Sequence, residues 1–525
     1  MHEVFPFYLI LILVIIFLIV LANKLKVAYP VLLVLGGLGI SFIPGVPVIH
    51  IAPELIFTIF LPPLLYEAAW NISWKELWRW RRVITGFAFG MVFFTALSVA
   101  FVANYFIPGF SIALGFLLGG IVSPPDAVSA GAIMKFVKIP KRMSAVLEGE
   151  SLLNDASSLI IFRFALITLG TGQFFAGQAL LSFAWMIVGG LAVGLALGWI
   201  FIKLHKLLHS NDNVDIVLTI IAPYVMYILA EEVESSGVIA VVSGGLFLSA
   251  KRYLFLTSST RLRGLNVWES LIFVMNGLVF MLIGLDLPEI VHSLRAESVS
   301  LTSAVGYGLL ITLVLIISRF VFALLTMLFT VVASRYVKVA DARNPGYKTA
   351  VVFAWTGMRG VVSLAAALSI PLYISDSVPF PQRSLILFIT FVVILSTLLI
   401  QGLTLPLLIK KIKLNDFDDH IDEKETERYL DAGINAQAKA YLAGMQGHAL
   451  YPELEKITQH WIENSTEVKD YESLPQLRVE YRNLLEKQRQ WLLKENNNNE
   501  RIDEEVVRKY LALIDTEENR IRGEE

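Results

Sequence analysis

Residues 149–155 read Gly-Glu-Ser-Leu-Leu-Asn-Asp and run directly into a strongly apolar segment. Residues 123–126 read Ser-Pro-Pro-Asp and lie inside the apolar segment that precedes it. Ionisable side chains are costly at membrane depth, so their presence there indicates a functional site. Several carboxylates lie close together in these two stretches, which favours a site for a small cation or a proton.

The composition around these stretches is that of a membrane protein. Of the 525 residues, 56% are hydrophobic and only 17% are charged. A soluble chain of this length would need many more charged surface residues. The absence of cysteine excludes disulfides and thiolate metal sites. No Walker-type phosphate loop is present, which argues against ATP-driven pumping. We therefore expect no enzymatic activity, no cofactor and no nucleic-acid partner.

Apolar runs of bilayer-spanning length recur along the chain and predict an all-α polytopic membrane fold. Thirteen segments fit this pattern: 6–23, 29–43, 52–70, 83–107, 110–134, 144–169, 177–204, 214–231, 236–250, 267–285, 299–333, 347–373 and 383–409. They predict a transmembrane domain over 1–413. The polar segment 414–525 has helical apolar spacing, for example Leu484, Leu485 and Leu492, and predicts a helical tail. The asparagine run 496–499 is expected to separate two helical pieces.

Charge alternates between the predicted loops. Lysine and arginine concentrate on one side, as in 79–82 and 410–413, whereas the opposite loops hold essentially only Arg295 and Arg383. The positive-inside rule then places the C-terminus in the cytoplasm and the N-terminus outside, in a multi-pass protein of the inner (cytoplasmic) membrane. One predicted cytoplasmic edge carries an expected interfacial aromatic belt: Trp70, Trp74, Trp78 and Trp80.

Two of the thirteen segments carry helix-breaking residues at membrane depth. Pro124 and Pro125 interrupt the fifth, and Gly357-Met358-Arg359-Gly360 interrupts the twelfth. Broken backbone is tolerated where it lines a cavity, and freed carbonyls there can coordinate a cation. Because the two segments are seven apart, they run in opposite directions. The pattern favours two inverted six-helix repeats with crossing broken helices, and the alternative is two unrelated kinks.

The sixth segment presents its polar residues on adjacent helix faces. Ser151 and Asp155 are spaced i,i+4, as are Glu150 and Asn154. Asp155 lies about 16 Å into the bilayer if the helix enters near Ser144. Arg359 also falls near the middle and needs an anion, because arginine does not lose its proton. Glu150 is the expected partner.

Asp155 is then the carboxylate left to exchange a proton for a cation. Glu67, Ser151, Asp155 and a main-chain carbonyl at Pro125 would form an all-oxygen site suited to Na⁺ or Li⁺. Asp126 is expected to balance helix-end charge. Asn154 carries no proton, but can donate to Asp126 or to exposed carbonyls. One exchanging carboxylate predicts one H⁺ moved per Na⁺ and no net charge transfer. Arg163 and Arg319 are expected to be members of structural ion pairs.

Three stretches carry a resemblance to a known family. They are Ser-Pro-Pro-Asp-Ala-Val (123–128), Gly-Glu-Ser-Leu-Leu-Asn-Asp-Ala (149–156) and Gly-Met-Arg-Gly-Val-Val-Ser (357–363). Together they resemble the first family of monovalent cation/proton antiporters, the sodium/proton exchangers, and the tail looks like that of the family's bacterial branch. The Leu-Pro-Pro stretch before Glu67 adds to this likeness.

The resemblance implies a homodimer in which a core domain moves against a dimerisation domain, with electroneutral exchange. It implies ion coordination by Asp155, Ser151, Glu67 and the backbone at 125. It implies that Asp126, Asn154, Glu150 and Arg359 stabilise the crossed helices. Members commonly carry threonine where this chain has Pro125, a change that keeps a carbonyl contact and loses a hydroxyl.

Three alternatives remain at this point. One is an antiporter of the same family that prefers K⁺ as its cation. Another is an intramembrane aspartyl protease using Asp126 and Asp155, which typically needs Gly-x-Gly-Asp on one helix, where this chain has Pro-Pro-Asp and Asn-Asp. The third is a membrane sensor acting through the tail, which would not need two broken helices.

Overall fold

The computed structural model describes most of the chain, and the segments it covers form helices almost throughout. These segments are 4–44, 56–134, 137, 139–173, 176–208, 211–296, 299–333, 346–375, 378–412, 414, 421–462 and 475–522. A short antiparallel pair joins strands β1 (Tyr373–Ser375) and β2 (Val378–Pro379).

The first half of the chain contains helices α1 to α9. They are α1 Val4–Leu25, α2 Tyr29–Ser41, α3 Leu61–Asn71, α4 Trp74–Thr85, α5 Val92–Phe106, α6 Ile112–Val122, α7 Ala127–Met134, α8 Lys141–Thr171 and α9 Ala176–Leu207. Two π-helical turns, Ile56–Phe60 and Gly86–Met91, precede α3 and join α4 to α5.

The second half contains helices α10 to α21. They are α10 Asp212–Glu232, α11 Gly237–Lys251, α12 Ser258–Leu285, α13 Leu287–Ala296, α14 Leu301–Ala333, α15 Gly346–Trp355, α16 Val361–Leu368, α17 Arg383–Ile412, α18 Glu423–Gly444, α19 Tyr451–Ile462, α20 Pro475–Asn498 and α21 Glu504–Arg522. A 3₁₀ turn, Arg252–Leu254, follows α11.

Each of the thirteen predicted segments overlaps helix. Within the described residues, nine helical stretches are long and apolar enough by themselves to cross a membrane, which makes this a multi-pass membrane protein. The fourth prediction began too late, because the helix already starts at Trp74 and continues to Phe106. Of the four tryptophans in the predicted aromatic belt, Trp74 and Trp78 are exposed, and the belt itself stays a prediction. Trp80 is buried and donates to Glu76 at 3.0 Å, and the ring of Trp70 packs on that of Tyr66.

Both predicted helix breaks are confirmed. The chain is non-helical at 123–126, between α6 and α7, and again at 356–360, between α15 and α16. Proline explains the first break, since Pro124 and Pro125 provide no backbone donors for a continuing helix. The two breaks meet, because the Asp126 amide donates to the Met358 carbonyl at 2.7 Å. The inverted relationship between the two halves stays a prediction.

Glycine lets α6 pack closely against α5. A Cβ at Gly119 would lie 2.6 Å from the carbonyl oxygen of Ala96, and one at Gly115 would lie 2.6 Å from that of Ala100. Carbonyl oxygens of a helix cannot move aside as a flexible side chain can. The absence of side chains at these positions therefore determines how near the broken helix approaches its neighbour.

We expect Gly119→Ala to destabilise the protein by about 1–3 kcal/mol, because one added methyl overpacks this contact. The measurement is thermal unfolding of the purified protein in detergent. Gly306→Ala is the matched control, since α14 offers open space around a Cβ at Gly306. That variant should melt at the wild-type temperature or slightly above it. Equal melting temperatures for the two variants would contradict the packing argument.

A second compact unit comprises residues 205–217, 252–267 and 418–525. Its apolar core contains Leu484, Leu485 and Leu492, which share a face of α20 as predicted. Arg489 is buried there, pairs with Asp515 at 2.9 Å and also contacts Glu486 and Glu518. The helix break predicted for 496–499 falls slightly later, because α20 continues to Asn498. The domain boundary at 413/414 stays a prediction.

Candidate functional site

Asp155 and Ser151 lie one turn apart on α8 and are both buried, with 8% and 9% of their surface exposed. Within the described parts of the chain, no backbone or side-chain group donates a hydrogen bond to the Asp155 carboxylate. Burying a charge without partners is unfavourable. A carboxylate in this setting is therefore favoured when it holds a proton or a bound cation.

The break between α6 and α7 is held directly against α8. The Asn154 amide donates to the Pro125 carbonyl at 3.2 Å, and the Ser158 hydroxyl donates to the Gly120 carbonyl at 2.9 Å. The sequence left Asp126 and the backbone carbonyls as possible acceptors for the Asn154 amide. In the structure the acceptor is the carbonyl of Pro125. A carbonyl oxygen has two lone pairs, so Pro125 can still offer one to a cation.

Asp126 caps the second half of the broken helix. Its Oδ2 accepts hydrogen bonds from the Ser129 amide at 2.9 Å and from the Ser129 hydroxyl. A carboxylate at a helix N-terminus also interacts favourably with the helix dipole. Gly360 is needed beside it, because a Cβ there would lie 2.6 Å from the Asp126 carboxylate. These contacts give Asp126 partners within the fold.

The expected pairing of Glu150 with Arg359 is wrong. Glu150 instead pairs with Arg319 of α14, at 3.0 Å for each of two nitrogen–oxygen contacts. The side chains of Glu150, Arg319 and Arg359 are almost completely buried. The contact from Nη2 to Oε2 is a hydrogen bond, and the second contact brings the opposite charges together without one. The role of Arg319 as a structural ion-pair member is thereby confirmed.

Arg359 donates its hydrogen bonds to backbone carbonyls, which stabilise its positive charge. It donates to Val122 at 2.8 Å, to Ser123 at 3.4 Å and to Gly357. The carbonyls at 122 and 123 end α6, and helix C-termini carry partial negative charge. Arg319 does the same for the other broken helix, because its Nε donates to Phe353 of α15 at 3.1 Å. Each first half-helix thus has a buried arginine at its end.

Glu67 lies on α3, which packs against both α8 and α11. The side chain is half-buried, and its carboxylate accepts a hydrogen bond from Asn71 at 2.6 Å. A carboxylate has lone pairs beyond those used in one hydrogen bond. Its participation in an ion site with Asp155 and Ser151 stays a prediction.

Two further features bear on the ion chemistry of the fold. Arg163 of α8 pairs with Glu231 of α10, which confirms Arg163 as a structural ion-pair member. The described residues contain no group of three or more His, Cys, Asp or Glu side chains arranged to hold a metal ion. A monovalent cation at Asp155 would instead combine carboxylate, hydroxyl and carbonyl oxygens.

Comparison with known proteins gives one consistent result. A family model described as "Sodium/hydrogen exchanger, transmembrane" matches residues 9–411. The chain is 35% identical over 398 residues to the "Sodium, potassium, lithium and rubidium/H(+) antiporter" of Bacillus pumilus, covering 74% of this chain and 59% of that protein. It is 34% identical to the "Low-affinity Na(+)/H(+) antiporter NhaS1" of Synechocystis, covering 74% of this chain and 70% of that protein.

A solved structure shares the fold. The sodium proton antiporter MjNhaP1 from Methanocaldococcus jannaschii superposes with a TM-score of 0.60 at 20% sequence identity. The superposition covers 78% of this chain and 99% of that structure.

Proposed function

Since the chain belongs to the sodium/hydrogen exchanger family of bacterial monovalent cation/proton antiporters, we propose that it exchanges Na⁺ or Li⁺ for H⁺ by alternating access. The observation that supports this most is the buried Asp155 carboxylate. It lies beside a helix break and, within the described residues, accepts no hydrogen bond from the protein. A carboxylate in that position can bind a proton or a cation, but not both well.

The proposed cation site consists of Asp155, Ser151, Glu67 and the main-chain carbonyl of Pro125. Ser151 faces the same side of α8 as Asp155, and Pro125 is tied to the adjacent Asn154. These are hard oxygen ligands, which suit small alkali cations. Loading with a cation neutralises Asp155, as loading with a proton does.

The charged and polar residues around the site are proposed to keep their contacts while Asp155 exchanges a proton for a cation. Glu150 is neutralised by Arg319, so this pair contributes no net charge. Arg359 and Asp126 bear opposite charges and stabilise the ends of the half-helices they contact. Asn154 holds the first break against α8. The proton-loaded and cation-loaded sites then carry the same net charge, which supports one-for-one, electroneutral exchange.

Membrane placement and assembly belong to the same proposal. The loop charges support a cytoplasmic C-terminus and an external N-terminus. The family likeness favours a homodimer. The chain spans about 59% of the length of the Bacillus pumilus relative.

A second candidate is K⁺/H⁺ exchange by the same site. It is favoured by the name of the Bacillus pumilus relative, which includes potassium. The larger cation needs longer contacts and gains less from a compact carboxylate site. We therefore propose Na⁺ and Li⁺ first, and K⁺ as the alternative.

We expect Na⁺ or Li⁺ added to proteoliposomes containing a pH-sensitive dye to drive proton movement in the opposite direction. Collapsing the membrane potential with a permeant anion should leave the rate unchanged, because no net charge crosses. A strong dependence on the potential would refute one-for-one exchange. A response to K⁺ that exceeds the responses to Na⁺ and Li⁺ would support the alternative cation. No response to any of the three cations would refute the antiporter proposal.

A further inference from the structure

Helix α4 has one outward face built from two tryptophans and two arginines. Trp74, Trp78, Arg81 and Arg82 are exposed, and their spacing of i, i+4, i+7 and i+8 places them on one side of the helix. Trp80 and Ile84 are buried on the opposite side. We call the four exposed residues the Trp–Arg face.

The chemistry of this face is partly preorganised. The Trp74 and Trp78 rings stack with centroids 5.9 Å apart. The Arg81 guanidinium lies over the Trp78 ring, 4.4 Å from its centroid, and donates one N–H to the Trp78 carbonyl at 2.5 Å. An arginine has five N–H donors, so Arg81 can also bind an external oxyanion.

The helix itself places this face at the level of lipid headgroups. The continuous helix from Trp74 to Phe106 has 33 residues. That corresponds to about 50 Å, whereas the hydrocarbon core is about 30 Å thick. Farther along the same helix, beyond the π-helical turn Gly86–Met91, Phe93 and Phe101 are exposed and form an apolar stripe. Phe93 follows Arg82 by roughly 15 Å along the axis, so the exposed surface of the helix changes from basic and aromatic to apolar.

We propose that the Trp–Arg face binds the phosphate headgroup of an anionic phospholipid. Arginine matches a phosphate with paired N–H donors, and tryptophan favours the boundary between headgroups and acyl chains. Continuity with the apolar stripe identifies a lipid as the occupant, because the acyl chains would lie along Phe93 while the headgroup meets Arg81 and Arg82. Positive charge at this level also suits an anionic leaflet.

Lipid retention measured by native mass spectrometry tests the proposal. Purified protein is mixed with phosphatidylglycerol or phosphatidylcholine, and bound lipids are counted. Wild-type protein should prefer phosphatidylglycerol, and the double variant Arg81→Gln/Arg82→Gln should weaken that preference by about tenfold. Lys410→Gln/Lys411→Gln removes the same charge from exposed positions at the end of α17 and should leave the preference unchanged.

A second measurement places the lipid on this face even if the double variant fails to fold. Dibrominated phosphatidylglycerol should quench tryptophan fluorescence more than dibrominated phosphatidylcholine, and Trp78→Phe should remove most of the difference. Undiminished retention in the arginine variant would overturn the proposal, as would equal losses in the lysine control. Displacement of the lipid by soluble glycerol phosphate would also overturn it, because a headgroup alone would then suffice.

Discussion

Asp155→Asn should reduce cation-driven proton movement to the level of protein-free vesicles. The amide has nearly the same shape as the carboxylate, but it carries no negative charge to hold a cation and does not bind a proton near neutral pH. The measurement is the dye assay in vesicles, with Na⁺ and Li⁺ pulses of equal concentration. Full activity in this variant would refute the assignment of Asp155 as the exchanging group.

The same variant should remain folded, which separates a lost activity from a lost structure. Within the described residues, Asp155 accepts no hydrogen bond that the amide would sacrifice. Removing a buried charge without such partners should leave the melting temperature unchanged or raise it. Glu232→Gln is the matched control, because it makes the same chemical change at an exposed position and should retain wild-type exchange.

Glu150→Gln should destabilise the protein strongly, by about 3–5 kcal/mol, because it leaves the buried Arg319 without its anion. The expected observation is a large fall in melting temperature and in the yield of folded protein. The double variant Glu150→Gln/Arg319→Gln should recover part of the loss, since both charges of the pair are then absent.

A double-mutant cycle distinguishes Arg319 from Arg359 as the partner of Glu150. The coupling between Glu150 and Arg319 should exceed that between Glu150 and Arg359, because Arg319 forms the ion pair with the Glu150 carboxylate and donates a hydrogen bond to it. A larger coupling to Arg359 would contradict the structure and restore the pairing expected from the sequence.

The two helix breaks were predictable because each gathers helix-disfavouring residues at one point of an apolar segment, whereas a single residue such as Pro223 stays within a helix. Pro124 and Pro125 cannot continue a helix, and the glycines at 357 and 360 mark the second break without reference to any other part of the chain. The apolar segments were predictable for a similar reason, since bilayer thickness sets their length. The spacing of Ser151 and Asp155 on one face of α8 also follows from local geometry alone.

The partners of the buried arginines were not predictable in the same way. Arg319 and Glu150 are separated by 169 positions, and no local pattern indicates which face of α14 meets α8. Arg359 binds carbonyls, which every residue possesses, so the identity of the residues at 122 and 123 gives no signal. The missed clue for Arg359 was its position beside a break, where helix ends leave carbonyls without partners.

The contacts of Arg359 have a mechanical consequence. The Arg359 side chain donates hydrogen bonds to the end of α6 and to the turn after α15. The backbone amide of Asp126, in the first break, donates to the Met358 carbonyl in the second. If the two helix breaks slid past each other, all of these hydrogen bonds would break at once inside the protein. We therefore expect the two helix breaks to move together as one rigid body, which also carries Asp155 and its bound proton or cation. The barrier to translocation would then arise at the apolar outer surface of that rigid body, where only dispersion contacts have to be exchanged.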